Sequence, residues 1–434
     1  MASALQQRSN LPPARLVEFA PTLALISFAV FFSIAFPKGG IKIYNIPITF
    51  GYLMTAALLL AALLRTGGLS IPLDRLLAFV PCLLLGLWSA VVVAINGSSS
   101  FGYTLSYFTS VLYLPFFGLV VFSPLVLDDG HQRIEKAFLW AVRIIVAYGI
   151  FLFFFRQFSG SWIEIPYLTV NVADAGQLDD KYINRGGIFK LISTYNNGNI
   201  FGVSLAIMAP LYLRLERQAV LRWLAYVALF LTLSRTAWIA AILIMGLRSL
   251  SKGIRPITLF YLAFGILVVG WAVVGLLSFL GRDMSFIFDS DLGGRADQLR
   301  VLENISLIPQ GQVSALPEIV YLGVLNFFGL PGLILFVVHL LMPSLLLKAE
   351  GVPLLSPSRA SACLQGLLIY VIIAGADAAF SYIPVMMIFW MIAGMGLWYA
   401  HRQVQVAPGG ARPSPAWASE EPTRAMKGMR EAAR

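Results

Sequence analysis

The chain has 434 residues, of which 59% are hydrophobic and 12% charged, and its mean hydropathy is +0.80. A water-soluble globule cannot cover that much apolar surface, so the composition predicts an all-α polytopic integral membrane protein. The formal net charge of +10 is spread through loops rather than gathered in a patch, which argues against nucleic acid as a partner and for charge placed by membrane topology.

Residues 1–16 are polar, carry Arg8 and Arg15, and are expected in the cytoplasm. Apolar runs follow at roughly 17–36, 46–64, 76–95, 107–127, 137–155, 198–213, 219–233, 235–247, 256–280, 318–347, 362–379 and 384–400, predicting about twelve transmembrane helices with both termini on one side. The first run is long enough to span and lacks a small-residue cleavage pattern, so no cleavable signal is expected. With the amino terminus inside, Lys and Arg favour the inner loops about two to one, which orients the chain. Residues 17–155 form an amino-terminal helical region, and 198–400 the region expected to carry the chemistry. The tail 401–434, rich in Ala, Pro, Gly, Arg and Glu, is expected to be disordered. Cys82 and Cys363 lie within apolar runs and read as core thiols. His131, His339 and His401 are too scattered for a metal site, and neither a Walker loop nor a dinucleotide fingerprint is present.

Two large outer loops interrupt the runs. The first, 156–197, mixes aromatics, acids and turn residues. The second, 281–317, holds Arg282, Arg295 and Arg300 with Asp283, Asp289, Asp291, Asp297 and Glu303, a charge load that lipid does not admit. Within it Val301, Leu302, Ile305 and Ile308 share one helical face. Gly293–Gly294 before them and Pro309 after them bound a predicted amphipathic helix on the membrane surface.

A few polar residues stand where orientation alone does not require them. Arg235 lies in a tight turn between two apolar runs. It is either an arginine snorkelling to the interface or a fixed guanidinium for phosphate. Arg295 and Arg300 are either solvated or paired on their own helix, or they complete an outward cationic cluster with Arg235. Arg185 is a weaker member of that cluster. It is followed by Asn196, Asn197 and Asn199, which cap the next helix or line the site. Glu318, after Pro317, is a helix-dipole acid or a general base, and Asp377 is a partner for an arginine or a structural acid. Arg143 is expected to snorkel toward the cytoplasm, and His339 falls far from the outer cluster.

Four segments, in order, carry a family resemblance: RGGIFKLISTYNNGNIFG from Arg185, LFLTLSRTAWIAAIL around Arg235, GGRADQLRVLENISLIPQG around Arg295, and EIVYLGVLNFFGLPGLILF from Glu318. Together they resemble the O-antigen polymerase and O-antigen ligase superfamily of bacterial envelope glycosyltransferases. The first five helices match only in character. The resemblance implies a metal-independent inverting transfer, without cofactor, between glycans carried on undecaprenyl diphosphate in the outer leaflet of the inner membrane. It assigns the diphosphate to Arg235 and Arg295, with Arg300 and Arg185 assisting, and leaves Asn199, Tyr321 and Asp377 as supporting residues. The polymerases of the family carry an arginine and a glycine eleven positions apart. Arg300 and Gly311 meet that spacing, whereas Asn196 stands where Arg185 would need its glycine. The ligases carry a histidine near the position of Glu318 and Tyr321, and none occurs between 281 and 332. The expectation is therefore a polysaccharide polymerase of the lipopolysaccharide type with Glu318 as base, working among membrane lipids beside a chain-length regulator and a flippase. The rivals are an O-antigen ligase, a membrane transporter or flippase, and a non-catalytic scaffold.

Overall fold

A computed structural model describes residues 20–43, 46–63, 73–121, 131–178, 184–185, 188–251, 257, 296–303, 305–309, 311–377, 379–380, 382 and 384–406. The described chain is mostly helical. In order it forms α1 (Ala20–Ala35), a hairpin of β1 (Gly40–Ile43) and β2 (Ile46–Thr49), α2 (Phe50–Leu63) and α3 (Leu73–Asn96). Then come α4 (Phe101–Phe108), a π-helical turn (Thr109–Tyr113), α5 (Leu114–Val121) and α6 (His131–Ser159). The short pair β3 (Asn184–Arg185) and β4 (Ile188–Phe189) precedes α7 (Gly198–Leu215), α8 (Ala219–Leu231) and α9 (Arg235–Ser251). A 3-10 helix (Ala296–Glu303), α10 (Val320–Ala349), α11 (Arg359–Ile373) and α12 (Val385–Val406) complete the order.

Each predicted apolar run except 256–280 coincides with helix, and that run lies outside the described residues apart from Ile257; the tail expected to be disordered from 401 is helical through Val406, and 407–434 lie outside the described residues. Four helices among the described residues are long and apolar enough to cross a membrane: Leu73–Asn96, Gln132–Ser159, Gly198–Leu215 and Val320–Ala349. Their surfaces fit lipid. The buried stripe of α3 carries Arg75, Ala78, Cys82, Leu85, Ser89 and Val92, while Leu76, Leu77, Val80, Leu83, Leu84, Leu87 and Val91 are exposed. A helix whose outward face is the more apolar one is built to meet hydrocarbon rather than water.

At the centre stands α7, buried from Gly198 through Leu213 apart from Asn199. It packs antiparallel to α11 at very short range: a Cβ placed on Gly366 would lie 2.2 Å from the carbonyl oxygen of Ile207. Only glycine admits that approach, and small residues are what let helices close up where lipid supplies no hydrophobic drive. Beside it, α9 runs parallel to α7, with a Cβ at Gly202 meeting that of Ala237 at 2.8 Å.

The two ends of the bundle are distinct. One carries Glu135, bonded to Arg359 and to the Tyr399 hydroxyl, and Arg143, which grips Glu216 through Nε at 2.7 Å and Nη2 at 3.0 Å. Arg143 thus departs from the snorkelling expected of it. Its partner lies in the α7–α8 turn and is fully buried, and Trp140 stacks beneath its guanidinium. The other end carries the β1–β2 hairpin, where Lys42 meets Asp174 at 3.5 Å, and the first large loop. That loop starts later than its composition suggests, because α6 continues to Ser159 and Arg156 packs over the rings of Phe189 and Trp162.

Candidate functional site

The hairpin-bearing end gathers most of the singled-out residues. Asn197 caps α7, its Oδ1 accepting from the backbone N–H of Asn199 and Ile200 at 2.8 and 3.2 Å. Asn196 just before it takes left-handed backbone (φ 58°), a conformation asparagine tolerates better than most residues. Capping therefore accounts for Asn197 but not for Asn199. The Oδ1 of Asn199 is buried without a hydrogen-bond partner among the described residues, and a carboxamide can turn either end toward a ligand.

The polar turn predicted between the seventh and eighth runs is present as Thr232, Leu233 and Ser234, with α9 beginning at Arg235. Leu233 is buried with φ 52°, a strained conformation for a leucine that persists only where its surroundings impose it. The turn is pinned to the first large loop, since Leu191 N–H donates to Leu231 O at 2.9 Å. A Cβ on Gly198 would come within 3.0 Å of Thr232 O and 2.9 Å of the Cβ of Lys190, a buried lysine. The amino termini of α7 and α9 are thus side by side and point the same way. Two aligned helix starts sum their positive dipole ends. Arg235 opens one and Asn199 lies in the first turn of the other.

The second large loop is held by α3 and α10. Asn96 Nδ2 donates to Pro309 O at 2.6 Å, Val313 pairs with Ser98 and Gly97, and Gln298 Oε1 accepts from Ile319 N–H at 3.1 Å. The surface helix is shorter than predicted. It is a 3-10 helix ending at Glu303, and 305–309 is irregular. The cause lies in α10, which is broken at Gly329 (φ 69°, ψ −172°). The freed N–H of Leu330 donates to Ser306 O at 3.2 Å, drawing residues 305–309 out of helix and onto the break. Arg300 is exposed on the 3-10 helix, and Leu299, Leu302, Ile305, Leu307 and Ile308 are exposed beside it.

Glu318 is exposed and precedes α10 rather than starting it, Ile319 being the N-cap residue. Tyr321 donates its hydroxyl to Val371 O at 2.6 Å and its ring faces Gly375, two residues from Asp377. Asp377 is buried just past α11. Both carboxylates act on Tyr382, a half-exposed residue absent from the sequence-based set. Burial first, then the charges of Tyr103, Glu318 and Asp377, hold its phenol above the ordinary value, so it stays protonated and neutral at neutral pH. The structure therefore sets the helix start that carries Arg235 beside the one that carries Asn199, while Glu318 and Asp377 each act electrostatically on Tyr382. Arg295 lies outside the described residues, and of Arg185 only the strand backbone is described. Nothing in the sequence marks Tyr382, because Tyr103 and Glu318, which act on it together with nearby Asp377, come from two other segments. His339 is remote from both groups, buried with Nδ1 at 3.2 Å from Cys82 Sγ.

No family model matches the chain, and no curated protein matches it.

Proposed function

We propose that this protein is a membrane glycosyltransferase that polymerises polysaccharide repeat units carried on undecaprenyl diphosphate. The observation that carries this reading is the pair of parallel helix starts at α7 and α9, with Arg235 on one and the unsatisfied Asn199 carboxamide on the other. Aligned dipoles, a guanidinium and an amide suit a diphosphate at the level of lipid headgroups. In this reading twelve helices cross the inner membrane, both termini are cytoplasmic, and the hairpin-bearing end faces the periplasm.

The growing chain is the donor, its diphosphate held by Arg235 and Arg295 with Arg300 and Arg185 assisting. A hydroxyl of the incoming unit attacks the anomeric carbon, the bond from that carbon to the diphosphate oxygen breaks, and Glu318 takes the hydroxyl proton. Negative charge grows on the leaving diphosphate, so preorganised cations favour the transition state over the bound substrate. The exposure of Glu318 and its proximity to Tyr382 support a base that the acceptor sugar can reach. No metal or cofactor is required, because the diphosphate is already a good leaving group.

A strain lacking the protein should accumulate single lipid-linked repeats, and Glu318→Gln expressed in it should leave the product short. Long lipid-linked polymer left unattached would instead indicate a ligase. Normal chain length from the Glu318→Gln variant would remove Glu318 from the chemistry.

A further inference from the structure

A second polar cleft lies at the opposite end of the bundle from Arg235. It is lined by Arg214 at the end of α7, Arg248 and Ser251 in α9, Ser356 and Ser358 before α11, and Gln365 within α11. Arg248 is repelled electrostatically by Arg214 and by Arg222 of α8, which lies outside the lining, a repulsion partly offset by the Tyr226 hydroxyl. Arg248 is held in place, its Nη1 donating to Leu213 O at 3.1 Å. The ion pairs among the described residues join Lys42 to Asp174, Arg75 to Asp74, Arg143 to Glu216 and Arg359 to Glu135, and none takes up these three arginines. The nearest acid in sequence, Glu216, is spent on Arg143.

Arg214 and Arg248 share one cleft and repel each other, and a shared anion converts that repulsion into attraction. A simple inward bias of positive charge does not require this arrangement, since it is satisfied by arginines turned to open water. The other polar lining groups are hydroxyls and a carboxamide, which suit phosphate oxygens, and Pro210, Leu213, Ile244, Pro357 and Ala362 complete the wall. Ser358 caps α11 through the N–H of Ser361, so the positive end of that helix dipole adds to the field. On the neighbouring α8, Trp223 and Val220 are exposed, the residue types that sit at a lipid interface.

We propose that this cleft is a phosphate-binding site, with Arg214 and Arg248 clasping the phosphate and Arg222 guarding its rim. It is independent of glycosyl transfer at the other end. An anionic phospholipid headgroup and a soluble phosphate ester offer the same chemistry, and the test separates them.

Full-length protein in neutral detergent is titrated with phosphatidylglycerol, and bound lipid is counted by native mass spectrometry; a parallel titration uses inorganic phosphate as ligand and as competitor. Saturable binding is expected, weakened about tenfold or more in the R214Q/R248Q double variant, since two charge-assisted contacts are lost. Lipid binding that phosphate does not displace identifies a headgroup site, and displacement by phosphate identifies a soluble ligand. Ser356→Asp keeps every arginine and places a carboxylate in the cleft; it should weaken binding as strongly while eluting as a folded monodisperse species. Binding unchanged in both variants, or absent from the wild-type protein for both probes, overturns the proposal.

Discussion

Arg143 and Glu216 show what a single pair does at the end of the bundle opposite the hairpin. The Glu216 carboxylate has no exposed surface, while Arg143 retains some, so the acid is the member that cannot tolerate losing its partner. Burial alone would raise its pKa. Hydrogen bonds from Arg143 and from the Gln218 N–H outweigh that and hold it below the ordinary 4.5. A carboxyl depressed on folding contributes stability above its unfolded pKa and loses it as pH falls through the folded value. The wild-type protein should therefore lose thermal stability as pH drops below about 4.5. Arg143→Ala should cost roughly 3 kcal/mol at neutral pH and invert the slope, because the stranded carboxylate is relieved by protonation. Melting curves of both proteins in one detergent across that range check it, and parallel curves would mean that the pair contributes nothing.

At the scale of elements, the break in α10 organises the second large loop. A Cβ on Gly329 would sit 2.2 Å from Leu307 O, and the backbone there is left-handed. Gly329→Ala should cost roughly 1–3 kcal/mol in strain and release residues 305–309, seen as faster proteolysis between 296 and 317 with α10 intact. Unchanged cleavage would mean that the loop is held by Asn96 and Gly97 alone. This element also marks where sequence reading stops. The helices are legible because their apolar runs are long and end in turns such as Thr232–Ser234. Pro331 marks a kink in the apolar run around Gly329, but which residue opens, and onto what, is shown only by the contacts with Ser306 and Leu307. The shortened surface helix has the same long-range cause, as does the Arg143–Glu216 pair, whose members are 73 positions apart. In the site, the turn at Arg235 and the cap at Asn197 follow from local sequence. Tyr382 and the adjacency of the α7 and α9 starts come only from packing.

For the molecule as a whole, the account needs the two ends to lie on opposite sides of a membrane. The native thiols, Cys82 and Cys363, are buried and silent to labelling. Ser99→Cys, at the hairpin-bearing end, should react with a membrane-impermeant maleimide in intact cells. Arg217→Cys, at the opposite end, should react only after permeabilisation. The reverse pattern would turn Arg235 to the cytosol, where no outer-leaflet glycan reaches it.

In the proposed reaction Arg235 and its neighbouring helix start grip a lipid diphosphate during glycan polymerisation. The most direct measurement incubates purified protein with a synthetic undecaprenyl-diphosphate oligosaccharide repeat and resolves the products on a gel. The wild-type protein should build a ladder of multiples of the repeat. Arg235→Ala, folded and membrane-inserted, should slow that ladder about a hundredfold or more, as expected for loss of one charge-stabilising donor. A ladder of normal rate from Arg235→Ala, or none from the wild-type protein, would contradict the account.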